Sequence, residues 1–313
     1  LLKKLMLLET LLFPLGIILL AFGGDRLVLG AKDISSKLMV PPFIIGIFIL
    51  GFGTSLPELF VTIQALESGN SDIAIGGILG SNIANILLVL GVSLLLVKDK
   101  SVEDISSKDI FVMIIATSLF YYFIYSGSIT VSWACAMIVS LPVYLYLSYK
   151  VFNKNNDNFD YLNTSSNLSI FINLITGFGF LIYGSKLFID GLIVISNFYG
   201  IPESVVGISL AAIGTSLPEL SVTIAAFFRK EGSVALGNIV GSNIFNIIGV
   251  LGLSTLISGA ISFSEEFRGL SSIILMVSSF WVLFVATNKP KNTRLFGSIS
   301  LASYIIYTIF IYL

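Results

Sequence analysis

The chain has no histidine and a single cysteine, Cys135, among its 313 residues. The first absence excludes an imidazole ligand, a histidine general base and a histidine proton relay. The second excludes an internal disulfide and any multi-thiolate metal site. Charge is scarce as well: 11% of residues are Asp, Glu, Lys or Arg, against about 25% in an average soluble domain. A formal net charge of -1 supplies no positive field for nucleic acid. With 56% hydrophobic residues and a mean hydropathy of +0.98, neither a disordered chain nor an ordinary soluble enzyme fits. What the chain has in abundance is long apolar runs, and these make it an integral membrane protein.

A helix crosses a ~30 Å hydrocarbon layer with about 20 mostly apolar residues. Ten stretches meet that requirement: 11–31, 40–65, 72–97, 109–126, 128–149, 168–192, 201–227, 233–258, 270–287 and 295–313. The runs are continuously apolar rather than alternating at every second residue, which argues against strands. Lys3 and Lys4 precede the first run as in a signal peptide, but no small-residue cleavage site follows, so this run is expected to be the first span. Lysine and arginine stay preferentially on the cytoplasmic side. Twelve of the 17 basic residues, among them Lys98, Lys100, Arg229 and Lys230, fall on one side. Only Lys3, Lys4 and Arg268 fall on the other, and Arg26 and Lys186 lie within spans. Both termini are therefore expected outside, which an even number of crossings also requires. The expected setting is the cell membrane, with the lipid bilayer as partner and a monomer as the working unit.

The chain is duplicated. Residues 40–58 read VPPFIIGIFILGFGTSLPE and residues 201–219 read IPESVVGISLAAIGTSLPE. Residues 76–85 read GGILGSNIAN and residues 237–246 read GNIVGSNIFN, and both pairs hold one offset of 161 positions. The weaker pair GGDRLVLG (23–30) and GSKLFIDG (184–191) keeps the same register. Each half has five spans, an odd number, so the second copy is inverted relative to the first. The expected fold is all-α: ten transmembrane helices in two inverted five-helix repeats, 1–150 and 168–313. A polar cytoplasmic linker is expected over 151–167. Many secondary transporters share this plan, with the site near the midplane where the copies meet.

Glu58 and Glu219 stand inside apolar helices, where an ionised carboxylate costs ~2.5 kcal/mol or more. Each follows a glycine and a proline in the run GTSLPE. Proline removes a donor and frees a carbonyl one turn earlier, at Gly53 and Gly214. The carbonyls of Gly51, Thr54, Ala212 and Thr215 are placed to turn toward a cavity, and broken backbone is tolerated at membrane depth where it lines protein or water. Thr54 with Glu58, and Ser81 with Asn85, are i,i+4 neighbours; the second copy adds Thr215 with Glu219 and Ser242 with Asn246. Ser55 and Ser216 lie one residue around. Apart from amide nitrogens the set is all oxygen, which suits hard cations. Calcium takes ~6–8 oxygens in a flexible shell, and two glutamates balance its charge, whereas magnesium dehydrates reluctantly. Sodium ions can replace calcium on hydroxyl and glutamate oxygens. In the absence of a cation the two carboxylates repel, so protons compete for the site.

GTSLPE twice, followed by GSNIAN and GSNIFN, resembles the two α-repeats of the sodium/calcium exchanger family within the cation/calcium antiporter superfamily. The resemblance covers nearly the whole chain. It implies antiport of calcium against sodium by alternating access, with those ions as substrates and no cofactor. By the same resemblance Glu58 and Glu219 bind calcium centrally with the carbonyls of Thr54 and Thr215. Ser55, Ser81, Ser216 and Ser242, with the glutamates and with Gly51 and Ala212, complete flanking sodium sites, and Asn85 and Asn246 line the site. Members commonly carry asparagine after the first glycine of the GN-x-x-GS stretch; Asn238 fits and Gly77 does not. Amides at 85 and 246 argue against potassium coupling, and the linker is too short for calcium-sensing cytoplasmic domains.

Other polar residues within spans are expected to be structural: Asp25 and Arg26 near the end of the first span, and Lys186 with Asp190 as a local i,i+4 ion pair. The functional alternative for the first and sixth spans is a gate that slides on their glycines at 23, 24, 30, 184 and 191. Two rival functions remain at this stage, a proton/calcium exchanger using the same glutamates and a cation channel using the same cleft. A pair of broken helices suits alternating access better than a channel, which needs a symmetric ring or filter.

Overall fold

The computed structural model describes residues 11–96, 107–153, 165–198, 214–288 and 292–312. Among these residues nine helices are long and apolar enough to cross a membrane. In chain order the helices are α1 (Leu12–Leu38), α2 (Pro42–Glu67), α3 (Ser71–Leu96), α4 (Ser107–Ser126) and α5 (Val131–Asn153). The second half has α6 (Asn167–Phe198), α7 (Leu217–Phe228), α8 (Gly232–Ser258), α9 (Leu270–Asn288) and α10 (Thr293–Tyr312). The first part of the seventh expected span, including Ala212, lies outside the described residues, as do residues 154–164 of the expected linker.

Helix ends follow local chemistry. α1 runs past the expected end at 31 to Leu38 and stops where Met39 turns left-handed at φ 53°. Pro41 and Pro42 follow, and neither offers a backbone N–H to continue the ladder. The hairpin after α2 and the one after α7 are the same turn at the 161-residue offset. Asn70 N donates to Ala65 O at 2.8 Å, and Glu231 N donates to Ala226 O at 2.8 Å. Gly69 and Lys230 both take positive φ there, 76° and 61°, a conformation glycine adopts freely and lysine rarely. A two-residue antiparallel ladder, Ser128–Ile129 against Ile261–Ser262, joins the α4–α5 turn to the α8–α9 connection.

Glycines at 16, 23 and 30 of α1 recur, 161 positions on, at 177, 184 and 191 of α6. The two helices pack antiparallel along these two rows. A Cβ on Gly16 would lie 2.5 Å from the Phe188 backbone N, and one on Gly177 would meet Leu27. Gly23 faces Leu181 as Gly184 faces Leu20, and Gly30 faces Leu174 as Gly191 faces Phe13. Each contact is thus the image of another under exchange of the copies, which is the mark of an inverted repeat.

A second close seam joins α2 to α8. A Cβ on Gly46 would lie 2.6 Å from the Val234 carbonyl oxygen, and one on Gly241 would lie 2.6 Å from Ile47 Cα. Residues 234–252 of α8 are buried without interruption, so this helix is the centre of the molecule. α5 and α6 turn apolar side chains outward: Val139, Val143 and Leu147 on α5, and Phe171, Ile175 and Ile182 on α6, are all exposed. Such a surface is stable in lipid and not in water.

The in-span charges do not pair as expected. Asp25 forms a two-contact ion pair with Arg229 (2.5 and 2.8 Å), and Lys32 reaches Glu231 at 2.6 Å, so α1 is tied to the turn after α7 in the other copy. Arg26 instead donates to Asn173 Oδ1 at 3.2 Å. Lys186 and Asp190 form no ion pair with each other. Asp25 and Lys32 find their partners at the α1–α7 crossing, where a Cβ on Gly24 would lie 2.6 Å from Ser221 O.

Candidate functional site

The GTSLPE runs break their helices. α2 passes through a π-helical turn at Gly46–Gly51, resumes for Phe52–Thr54, and breaks at Ser55 with φ -83° and ψ 0°. A new helix starts at Leu56, with Pro57 in its first turn, where a missing N–H removes no hydrogen bond. Ser216 adopts φ -88° and ψ 2°, and α7 starts after it with Pro218 in its first turn. Glu58 and Glu219 therefore lie in the first turn of a half-helix, the end whose exposed N–H groups favour a carboxylate. Thr54 and Glu58 are consequently not i,i+4 neighbours on one continuous helix, because the break at Ser55 separates them; Thr215 and Glu219 are divided in the same way by Ser216.

The break aims each threonine at the other copy. Thr54 Oγ1 donates to the Leu50 carbonyl at 2.9 Å and lies 3.2 Å from Ser242 Oγ on α8. Electrostatically Glu219 faces Thr54 and Ser242, while Glu58 faces Thr215 and Glu219. Ser242 Oγ also lies 3.5 Å from the Gly51 carbonyl. A further cross-copy bond runs from Asn246 Nδ2 to Ser81 Oγ at 3.0 Å. Asn85 and Asn246 stand in π-helical turns, Asn85–Val89 and Phe245–Leu251, which displace backbone carbonyls from the regular ladder.

Eleven of the twelve residues singled out in the sequence are described, and ten of these are buried; Thr215 is half-buried. Glu58 is 3% exposed and Glu219 0%. Among the described residues, both oxygens of each carboxylate, Oδ1 and Nδ2 of Asn85, Oδ1 of Asn246, and the hydroxyls of Ser55 and Ser216 are buried with no hydrogen bond of standard geometry. An unsatisfied buried acceptor costs about 1–3 kcal/mol, more when charged, so native proteins rarely keep a cluster of them. Apart from Asn85 Nδ2 these atoms are acceptors or hydroxyls, drawn from both copies, and dehydrated hard cations are the partners such oxygens take.

Sequence reasoning did not place Asn238 in this cluster. It is fully buried on α8; its Oδ1 lies 3.4 Å from Thr54 Oγ1, and its Nδ2 donates to Thr223 Oγ1 at 3.2 Å. The signal was present in the GN-x-x-GS stretch, but a motif position alone does not show which way an amide points.

Comparison with known proteins agrees with this architecture. The family model described as sodium/calcium exchanger protein matches residues 8–150 and 169–313. The inner membrane protein YrbG of Escherichia coli is 30% identical over 322 residues, covering 98% of this chain and 98% of its own. The sodium/calcium exchanger MaX1 of Methanosarcina acetivorans is 30% identical over 318 residues, covering 88% of this chain and 91% of its own. A solved structure of the sodium-calcium exchanger NCX_Mj, soaked with 2.5 mM Na+ and 10 mM Sr2+, superposes with a TM-score of 0.80 at 32% identity. It covers 96% of this chain and 98% of that one. An all-α, multi-pass membrane protein of two inverted five-helix repeats, with buried polar oxygens where its broken helices meet, this chain belongs to the sodium/calcium exchanger family of cation/calcium antiporters.

Proposed function

We propose that the protein exchanges sodium for calcium by alternating access, without a cofactor. Glu58 and Glu219, with the carbonyls of Thr54 and Thr215, hold calcium. Ser55, Ser81, Ser216 and Ser242, with the same glutamates and the carbonyls of Gly51 and Ala212, hold sodium, and Asn85 and Asn246 line the site. One observation carries this reading: two buried carboxylates, related by the inverted repeat, whose four oxygens have no hydrogen bond of standard geometry among the described residues. Two charges of -1 balance one calcium, and the surrounding neutral oxygens provide room for monovalent ions when calcium leaves. The working unit is a monomer, with residues 1–150 and 168–313 as the two repeats.

The test is calcium uptake into sodium-loaded proteoliposomes. An outward sodium gradient at equal pH drives uptake; a pH gradient without sodium drives little. Paired hydroxyls at Ser55, Ser81, Ser216 and Ser242 have no evident use in a carrier that exchanges only protons. Equal uptake driven by protons in sodium-free vesicles would transfer the assignment to a proton/calcium exchanger.

The proposed setting is the cell membrane with both termini outside. A cysteine introduced at Ser68 or Asn197, in a background lacking Cys135, is labelled by an impermeant thiol reagent from outside, and one at Asn156 from inside. The reverse pattern would overturn the orientation drawn from loop charge.

A further inference from the structure

The two halves of the site are unequal. In the second copy Asn238 uses both ends of its amide. Its Nδ2 donates to Thr223 Oγ1 at 3.2 Å and to the Glu219 carbonyl at 3.4 Å, and its Oδ1 faces Thr54 Oγ1 at 3.4 Å. Thr54 ends the first half of α2, while Glu219 and Thr223 occupy the first two turns of α7. One fully buried amide therefore joins the helix break of one copy to the half-helix of the other.

At the matching position, 161 residues earlier, stands Gly77. It is exposed, and a Cβ built on it meets nothing within 4 Å among the described residues. Thr62, the counterpart of Thr223, is 2% exposed and has no amide opposite it at position 77. The first copy thus keeps the acceptor and lacks the amide. The Glu219 carbonyl is held by a side chain; its image, the Glu58 carbonyl, has no amide opposite it at position 77.

We propose that Asn238 is a positioning residue that fixes the Glu219 half of the cation site, and that Gly77 leaves the Glu58 half less restrained, so that the two carboxylates are unequal ligands. The proposal rests on the reading of both glutamates as cation ligands. A carboxylate held in place discriminates among cations by radius, whereas one that can shift adapts to whichever ion is present. Asn238 touches no ion in this account. It acts through the backbone of the first turn of α7 and through the hydroxyl of Thr54.

Two readouts on purified protein test it: the calcium and sodium concentrations giving half-maximal thermal stabilisation, and calcium-titrated, sodium-driven uptake in proteoliposomes. Asn238→Gly raises the half-saturating calcium concentration roughly tenfold, the size expected for loss of one partner from a buried hydrogen bond, while the maximal rate falls less. Gly77→Asn, at an exposed position with room for the side chain, lowers it. Gly77→Asn in the Asn238→Gly background recovers part of the loss by anchoring the other half. A wild-type protein stabilised by calcium alongside an Asn238→Gly variant with the same calcium dependence would overturn the proposal. A lowered cation-free melting temperature with no shift in the calcium titration would overturn it too, because that marks a purely structural role. If neither calcium nor sodium stabilises the wild type, the reading of the site falls first and this proposal with it.

Discussion

Glu58→Gln and Glu219→Gln each remove measurable calcium transport. Either substitution leaves one charge of calcium without its counter-charge. At ~4 Å and an effective dielectric of about 20, a unit pair is worth about 4 kcal/mol, or roughly a thousandfold in affinity. Volume and the hydrogen-bonding outline change little, so the fold is expected to survive and thermal unfolding of the cation-free protein to stay near the wild-type temperature. Removing one of two repelling buried carboxylates can even stabilise the empty protein. The check is calcium flux in proteoliposomes together with calcium-induced thermal stabilisation. Near-normal exchange in both variants would remove the glutamates from the mechanism.

Gly237→Ala damages the protein more than its single methyl group suggests. The added Cβ would collide with the Phe43 carbonyl oxygen, and the nearest atom of another residue, Gly46 Cα, lies 3.2 Å away. Both are backbone atoms, so a rotamer change cannot relieve the clash, and α2 and α8 must separate. Overpacking of this kind costs about 1–3 kcal/mol. The same two helices hold Thr54 against Ser242 at 3.2 Å, so separation also loosens the cation site. The expected result is a lower melting temperature in detergent together with weakened calcium-dependent uptake. Gly179→Ala is the control: Gly179 is exposed on α6, and a Cβ there meets nothing within 4 Å. It should be neutral or gain about 0.4–1 kcal/mol from the reduced freedom of the unfolded chain. Equal behaviour of the two variants would show that the α2–α8 seam does not determine stability.

Much of this architecture is local information and can be read along the chain. Hydropathy sums over about 20 residues, so the described spans start and stop within a few residues of the sequence expectation, except where α1 runs on to Leu38 and α6 to Phe198. The constant offset of 161 and the odd span count forced an inverted repeat before any coordinate was known. Glu58, Glu219 and their neighbouring hydroxyls stood out because a carboxylate in an apolar run is costly and this one occurs twice.

What the sequence could not determine is which atoms meet across the copies. The i,i+4 rule paired Thr54 with Glu58 and Lys186 with Asp190, but it assumes an unbroken helix with no competing partner. The break at Ser55 gave Thr54 to Ser242, and the crossing of α1 over α7 gave Asp25 to Arg229. The glycines of α1 and α6 advertised close approach, but that they approach each other, antiparallel and in register, emerged only from the packing. Asn238 is the clearest case. Its motif position was visible, yet its role depends on partners 184, 19 and 15 positions away. Contacts at such separations are set by the angle at a helix break and the distance between two backbones, quantities that no window along the chain contains.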